Sequence, residues 1–368
     1  MSDDYIESTA IDVMHCVYEG VVMKMMLLWF DSEFKNFAFS KFEDGAFVSE
    51  LLSHITPPSY IKRMPRSVTE HLSLWKAPEF KNWLFYYSAG ILSSVLSPEL
   101  HNHYLLLVHA TYLLNQPSVS EAMIDEAYQC LHEFLYKFED LYHVKFATIN
   151  FHMLLHLPDQ VRKFGPLWTT SCMAMEDLNG QFKRMVHGTV HVAKQIVPRL
   201  GQTMHLPLML DKMLPHDPVR IFCENMQRRK NLKILERIDD RMSCVGAYYK
   251  PRNVPPIIAE ALAYSNIVGN VTMFYRLKIG KLLLTSESYG RHVQTNSTAV
   301  KFRAGNETEY GVIHSYTKIT DCNCNMIGRC EGLFFCILSK LEVEAPFHIV
   351  YPAVTLSYVM KSLVDKGT

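Results

Sequence analysis

The sequence carries no excess charge of either sign, so it lacks one of the usual signs of a nucleic-acid-binding protein. Its 37 lysines and arginines are balanced by 37 aspartates and glutamates, which gives a formal net charge of zero. Domains that bind DNA or RNA are usually basic overall. Any nucleic-acid-binding surface on this chain must therefore come from local clusters of basic side chains.

The sequence also lacks a long uninterrupted apolar run. Its most apolar stretches, residues 20–30 and 104–114, are interrupted by Lys24 and His109 and are too short to span a bilayer. The first nine residues are polar and acidic, without the basic and apolar regions of a secretory signal. These features predict a nuclear or cytoplasmic protein that is neither secreted nor bound to a membrane.

The nine cysteines follow no regular spacing. An odd and scattered set is typical of free thiols in a reducing compartment rather than of a disulfide framework. The cysteines at 322, 324, 330 and 336 have the spacing C-x-C-x5-C-x5-C, which matches no common zinc motif, and the last lies in an apolar run. A zinc site is therefore disfavoured.

What the sequence does contain is a globular composition, with 48% hydrophobic and 20% charged residues. Helical patterns dominate the first 240 residues. The predicted helices cover residues 11–34, 79–95, 99–114, 147–164 and 172–187, with a less regular pattern over 195–214. Residues 118–121 have the spacing of a capping box. An amphipathic helix follows it, with apolar residues on one face: Met123, Ala127, Leu131, Phe134, Phe138 and Leu141.

Strand-like runs replace the helical patterns towards the end of the chain. They cover residues 271–277, 299–303, 310–316 and 332–343, and Gly305-Asn306 separates two of them as a hairpin turn. These runs predict a small β-rich domain, a barrel or a sandwich, over residues 255–368. The sequence as a whole therefore predicts an α+β protein with a mainly helical body.

Three segments carry a resemblance to a known family. They are Asp12-Val13-Met14-His15, then Arg63-Met64-Pro65-Arg66 with Trp75-Lys76-Ala77-Pro78-Glu79-Phe80, and finally the stretch from Asn150 through His152, His156 and Gly165-Pro166 to Met175-Glu176-Asp177-Leu178-Asn179-Gly180. In this order and spacing they resemble the En/Spm-like (CACTA) DNA transposases, over about residues 8–200. The resemblance implies a ribonuclease-H-like nuclease with a helical insertion at about 40–165. Residues 166–190 would then include the helix that carries the last acidic residue.

The resemblance implies a site in which three carboxylates hold two Mg²⁺ or Mn²⁺ ions. The last acid maps onto Glu176, which would be both a catalytic residue and a metal ligand, and the Asp-x-x-His element maps onto Asp12 and His15. The two earlier acids have no counterpart, because Asp3 and Asp4 lie too close to Asp12. We therefore expect a truncated, catalytically incomplete chain that has lost an upstream portion.

The residues around the mapped positions have their own chemistry. Glu176, Asn179 and Lys183 share one helix side, so a carboxylate for a metal and an ammonium for a phosphate can point the same way. The alternative is an ordinary solvated helix face. His15 could donate a hydrogen bond to a phosphate or fill a pocket at the helix start. Asp12 could cap the helix or orient His15.

Two further groups have functional and structural interpretations. The basic residues Lys62, Arg63 and Arg66 precede Trp75 and Lys76, and cations beside an aromatic ring suit single-stranded DNA. The alternative is a surface loop with a buried tryptophan.

The second group is the pair His152 and His156, which has metal-ligand spacing but no glutamate of the His-Glu-x-x-His type. Core-like neighbours favour a packed, hydrogen-bonded pair over a metal site.

Three functional classes follow. The first is a transposase-derived remnant or domesticated protein that binds DNA, at transposon ends or in chromatin, without cutting it. The second is a metal-dependent nuclease whose missing acids come from an upstream exon or a partner chain. The third is a helical protein-interaction scaffold. Self-association into a homo-oligomer is compatible with all three.

Overall fold

A computed structural model describes most of the chain and has an α+β fold. The described residues are 9–58, 60–61, 63–214, 217–227, 232–264, 268–280, 282–290, 295–304, 307–320, 333–341, 347–350 and 355–358. They divide into two compact units. The first contains the described residues of Met1–Ile55, Pro65–Arg220 and Pro346–Tyr358, and the second contains those of Thr56–Met64, Ile221–Ala345 and Val359–Thr368.

The helices begin with a π-helical segment, Met14–Val22, that runs directly into the first α-helix. The α-helices are α1 (Met23–Phe30), α2 (Gly45–Ser53), α3 (Val68–His71), α4 (Ala77–Asn82), α5 (Ser88–Leu92), α6 (Pro98–Leu114), α7 (Glu121–Tyr142), α8 (Ile149–Met153), α9 (Leu157–Phe164), α10 (Met173–Met185), α11 (Val192–Asp211), α12 (Pro218–Gln227) and α13 (Pro256–Tyr264). A second π-helical segment, Trp83–Tyr87, joins α4 to α5.

The core of the first unit is built around α1, α6 and α7. The ring of Tyr104 packs edge-on against Trp29 at 5.1 Å, and the indole N–H of Trp29 donates to the hydroxyl of Tyr142 at 3.1 Å. All three side chains are buried. Helix α6 is buried on most sides, with 13 of its 17 residues inside the unit.

Helix α7 confirms the predicted amphipathic pattern. Ala127, Leu131, Phe134 and Phe138 are buried on one face, while much of the opposite face is exposed. Its cap differs from the predicted capping box, because the side chain of Ser120 accepts from the Met123 amide. The helix therefore starts two residues later than a cap at residue 118 would place it.

The π-helical segment packs closely on α8, and this contact requires a glycine. A Cβ atom at Gly20 would lie 2.5 Å from the Asn150 side-chain nitrogen and 2.7 Å from the carbonyl oxygen of His15. The sequence predicts a single helix over 11–34 but gives no sign of the π-helical geometry. The stretch that the sequence predicts as helical over 147–164 is divided at the 3₁₀ turn Leu154–His156, and Pro158 follows that break in the first turn of α9.

The second unit contains two antiparallel sheets. The strands of the chain are β1 (Ile234–Arg237), β2 (Met242–Val245), β3 (Asn270–Phe274), β4 (Arg276–Ile279), β5 (Leu282–Thr285), β6 (Ala299–Ala304), β7 (Glu307–Thr320), β8 (Leu333–Leu341), β9 (Phe347–Val350) and β10 (Thr355–Tyr358). One sheet has the order β1-β2-β4-β5, and the other has β3-β7-β6 with β8 also paired to β7. Strands β9 and β10 pair only with each other among the described strands.

The β structure begins earlier than the sequence predicts. Strand β1 starts at Ile234, about 20 residues before the expected boundary at 255, because β1 and β2 are too short to give a clear alternating pattern. The hairpin prediction agrees with the pairing of Ala304 with Glu307, although Gly305 and Asn306 lie outside the described residues.

The two sheets of the second unit share one apolar core. Cys244 and Leu277 come from the first sheet, and Phe274, Ile313 and Tyr316 come from the second. A core formed from facing sheets favours the sandwich over the barrel. The sheets are also joined by a polar contact, because Lys318 on β7 pairs with the carboxylate of Glu236 on β1 at 2.5 Å.

Two general features of the described residues bear on the sequence predictions. Their cysteines are free thiols, namely Cys16, Cys130, Cys172, Cys223, Cys244 and Cys336. Among the helices that the structure describes, none combines the length and the apolarity needed to cross a membrane.

We expect Glu236→Gln to remove an acid-sensitive contribution to stability. Burial raises the pKa of Glu236, but hydrogen bonds from Lys318 and Tyr248 and the Lys318 charge outweigh it and lower the pKa below its ordinary 4.5. Such a group stabilises the fold above its unfolded-state pKa, and this stability is lost as pH falls through the folded-state value. Urea denaturation should show the variant less stable at neutral pH by about 0.5–1 kcal/mol.

The difference between wild type and Glu236→Gln should disappear in acid. Glu260→Gln, at an exposed position on α13, is the matched control and should leave the stability close to that of wild type. A Glu236→Gln gap that stays constant with pH would contradict the role of this ion pair.

Candidate functional site

The carboxylate of Asp12 organises the start of the first helix. Its Oδ1 atom accepts from the amides of Met14 at 3.1 Å and Cys172 at 2.8 Å. Its Oδ2 atom accepts from the amide of His15 at 3.1 Å and from His15 Nδ1 at 2.5 Å. Asp12 therefore both caps the helix and orients the imidazole, so its two predicted roles are combined in one side chain.

A second polar side chain holds the same region in place. The amide of Gln160 accepts from the Ile11 backbone N–H at 2.6 Å and donates to the Ile11 carbonyl at 2.7 Å. It also donates to the hydroxyl of Thr170 at 2.8 Å. Gln160 is only 5% exposed. It connects the residue before Asp12 with the turn before α10.

Helix α10 brings Glu176 to the imidazole of His15. Glu176 lies in the first turn of α10, and its Oε1 atom is 3.6 Å from His15 Nε2. The side chains of His15 and Glu176 are 58% and 60% exposed, whereas that of Asp12 is 15% exposed. The two residues that the resemblance assigns to one site are therefore neighbours, at an open surface.

The contacts of Asp12 define which ring nitrogen of His15 carries a proton. An ionised carboxylate only accepts hydrogen bonds, so the short contact requires the proton of His15 to be on Nδ1. In the neutral ring Nε2 is then an acceptor that faces Glu176. It is available as a metal ligand or a proton acceptor, and on protonation it becomes a donor to Glu176 or to an anion.

The electrostatics of the site keep Asp12 ionised and Cys172 protonated. Burial raises the pKa of Asp12, but hydrogen bonds from the amides of Cys172, Met14 and His15 and from the imidazole outweigh burial and lower it. For Cys172, burial raises the pKa of the thiol, and the negative charges of Asp12 and Glu176 raise it further. The Cys172 thiol is therefore not activated as a nucleophile.

Ligand atoms of Asp12, His15 and Cys172 lie within 4.8 Å of one another. This cluster is a candidate metal site by distance. Both oxygens of Asp12, however, are already engaged by two donors each. A cation at this place would therefore rely on His15 Nε2 and Glu176, the side chains that remain open to solvent.

Asn179 and Lys183 follow Glu176 along α10. Both are exposed, and their spacing places them on the same side of the helix as Glu176. This agrees with the geometry that the sequence predicts. The roles of Asn179 and Lys183 in binding a ligand stay a prediction.

Two members of the predicted phosphate-binding and base-stacking cluster, Trp75 and Arg66, are engaged within the fold. Trp75 is 6% exposed, and its ring packs against Phe80 and Trp83. Both oxygens of Glu79 accept from the guanidinium of Arg66, at 2.5 and 2.9 Å. The Trp75 ring cannot stack on a base in this arrangement, and Arg66 serves the fold. The buried-tryptophan alternative therefore describes this segment.

Two other members of that predicted cluster are exposed. The side chain of Lys76 is exposed, and so is that of Arg63. Lys62 lies outside the described residues.

The histidine pair at 152 and 156 is only partly as predicted. The two Nε2 atoms are 3.3 Å apart, which agrees with the hydrogen-bonded pair. Both side chains are exposed, so the prediction that they are packed in the core is wrong. The helix buries Phe151, Leu154 and Leu157 instead, which turns the histidines outward.

Sequence reasoning missed Gln160 and Cys172. The only sequence signal for Gln160 is a polar residue beside the apolar Leu157 and Val161 on α9, a position that turns out to be buried. Cys172 takes part through its backbone amide, which carries no information about residue type.

The comparisons with known proteins do not assign this site. No protein-family model matches the chain, and searches of curated proteins and of solved structures returned no significant match.

We expect Asp12→Ala to destabilise the first unit by about 1–3 kcal/mol, because it leaves the amides of Met14, His15 and Cys172 without their acceptor. Urea denaturation measures this change. Asp140→Ala is the control, since Asp140 is exposed on α7. Equal stabilities of the two variants would show that Asp12 does not hold this region together.

Proposed function

We propose that this chain is a transposase-derived protein of the En/Spm type that binds DNA and, as it stands, does not cut it. In this proposal Asp12, His15 and Glu176 are the retained corner of a ribonuclease-H-like nuclease site. The observation that supports it most is the 3.6 Å separation of His15 Nε2 from Glu176 Oε1, between residues far apart in the sequence. The resemblance assigned them to one site without any distance information.

The side chains available as metal ligands favour a protein that binds DNA over one that cleaves it. Two-metal cleavage of DNA needs several carboxylates to hold both ions. Here the oxygens of Asp12 are occupied by backbone amides and by His15, which leaves Glu176 as the open carboxylate of this cluster. One carboxylate with waters and a phosphate suits a single Mg²⁺ or Mn²⁺ ion. A pair of ions does not fit this set of ligands.

No strand occurs among the described residues before Ile234. The sheet expected of a ribonuclease-H-like domain is therefore not found in that part of the chain. The ribonuclease-H-like origin rests on the resemblance and on the placement of His15 and Glu176.

The DNA-binding surface in this proposal is centred on α10. Lys183 and its neighbour Arg184 are exposed in the last turn of the helix, and Asn179 lies one turn before Lys183. Exposed basic side chains can neutralise phosphates and release counterions, which makes binding salt-dependent. Arg66 and Trp75 are excluded from this surface because they are used in packing.

We expect the full chain to bind duplex DNA with an affinity that falls as salt is raised, and Lys183→Ala to weaken binding. The loss of one phosphate contact should reduce the slope of log K against log salt by about 1. Fluorescence anisotropy over a salt series measures both. Lys137→Ala, which removes a lysine paired with Glu133 on α7, is the control and should bind like wild type. Salt-independent binding, or no binding, would contradict the proposal.

We expect neither wild type nor Glu176→Gln to cut DNA in Mg²⁺ or Mn²⁺. A gel assay on labelled duplex and single-stranded DNA measures cleavage. Cutting by wild type that requires the metal and is lost in Glu176→Gln would overturn the incomplete-site proposal. It would favour the alternative, a nuclease whose missing acids come from a second chain.

The surface of α10 and α11 favours one second candidate function, the protein-interaction scaffold. Large apolar side chains are exposed there, including Met175, Val197, Met204, Leu208 and Met209. Clustered apolar exposure on a helix is typical of a protein-binding surface. The anisotropy experiment separates the candidates, because a scaffold without a nucleic-acid role would not bind DNA in a salt-dependent way.

A further inference from the structure

The side chains of His152 and His156 converge on one point at the protein surface. Their Nε2 atoms are 3.3 Å apart, the ring centroids are separated by 5.0 Å, and the ring planes are nearly perpendicular, at 74°. Both side chains are exposed. Two basic ring nitrogens therefore face the same small volume of solvent.

The backbone that carries the two histidines is anchored from its other side. Helix α8 ends at Met153, a single 3₁₀ turn covers Leu154–His156, and α9 follows at Leu157. Leu154 and Leu157 are buried. Phe151 is also buried, and its ring packs on Phe138 of α7 at 4.5 Å. Because this packing fixes the backbone, the two imidazoles need little rearrangement to act together.

The spacing of the two nitrogens matches that of two ligands of one metal ion. Zinc–imidazole bonds are about 2.0–2.1 Å long, so two nitrogens at a tetrahedral angle lie about 3.3–3.4 Å apart. We propose that His152 and His156 bind a divalent late transition-metal ion of the Zn²⁺, Ni²⁺ and Cu²⁺ type through their Nε2 atoms. Imidazole suits this class of ion, whereas Mg²⁺ prefers oxygen ligands.

Water or an external ligand would complete the coordination. Among the described residues, the only cluster of three or more potential ligands is Asp12, His15 and Cys172, so the histidine pair offers two protein ligands. A metal bound by two side chains keeps open positions. This makes the pair a surface site that exchanges its other ligands, unlike a closed structural zinc centre.

A hydrogen bond is the competing explanation of the same distance. In it, one ring donates its Nε2 proton to the other Nε2 atom. Metal binding requires lone pairs on both atoms, so the donor ring would have to move its proton to Nδ1. That change of tautomer releases no proton and leaves both rings neutral. The two states are therefore alternatives, and a metal titration distinguishes them.

The test is isothermal titration of the full chain with ZnCl₂, and separately with NiCl₂ and MgCl₂. We expect Zn²⁺ and Ni²⁺ to bind, and His152→Ala and His156→Ala each to weaken this binding at least tenfold. Since both positions are exposed, each variant should keep the melting temperature of the metal-free wild type. Mg²⁺ should not bind to the histidine pair.

Two control variants make the assignment specific. His15→Ala removes a ligand of the Asp12 cluster, and His54→Ala removes another exposed histidine; both should retain the site. Loss of Zn²⁺ binding in His15→Ala but not in the His152 and His156 variants would place the metal at the other cluster and overturn the proposal. Equal Zn²⁺ binding by all variants, or none by wild type, would leave the pair as a hydrogen bond only. Neither result depends on DNA binding.

Discussion

The carboxylate of Asp12 is the contact on which the candidate site depends. It bonds the amide of Cys172, a residue 160 positions further along the chain, while it also caps its own helix and orients His15. Cys172 immediately precedes α10, and Glu176 lies in the first turn of that helix. The bond from Cys172 to Asp12 therefore holds the start of α10, and with it Glu176, close to the imidazole of His15. The site is therefore assembled by a capping interaction, and Gln160 supports it from the buried side.

Much of the fold could be predicted from local patterns. Helix α7 has a regular apolar face over six turns and was predicted correctly. The predicted strand runs 299–303, 310–316 and 332–343 fall on β6, β7 and β8, whereas the run 271–277 is divided between β3 and β4, which lie in different sheets. The first two strands were missed because four residues are too few to show a period. The π-helical segment was missed because its extra residue per turn is favoured by tertiary packing, with Gly20 against Asn150, and not by composition.

Less of the site could be predicted, and the reason differs between residues. The pairing of His15 with Glu176 came from family resemblance, since no local pattern links residues so far apart. Trp75 was ambiguous because a tryptophan beside basic residues is found both at nucleic-acid-binding surfaces and in protein cores. In the structure Trp75 packs against Trp83, and the neighbouring Arg66 pairs with Glu79, so the segment is part of the core. For His152 and His156, spacing predicted that the rings would meet, but apolar neighbours suggested burial. Those neighbours lie on the other side of the helix.

The π-helical segment also fixes the number of residues between His15 and the buried side chains of the same helix. Val17, Val21 and Leu28 are buried beyond His15 on the same continuous helix. In an α-helix each residue turns the chain by about 100°, so removing one residue from the wide turns would rotate everything on one side of the deletion. The shortened helix could keep its buried face in the core or keep the imidazole of His15 beside Glu176, but it could not do both. Length between His15 and α1 is therefore as much a part of the site as the identity of its residues.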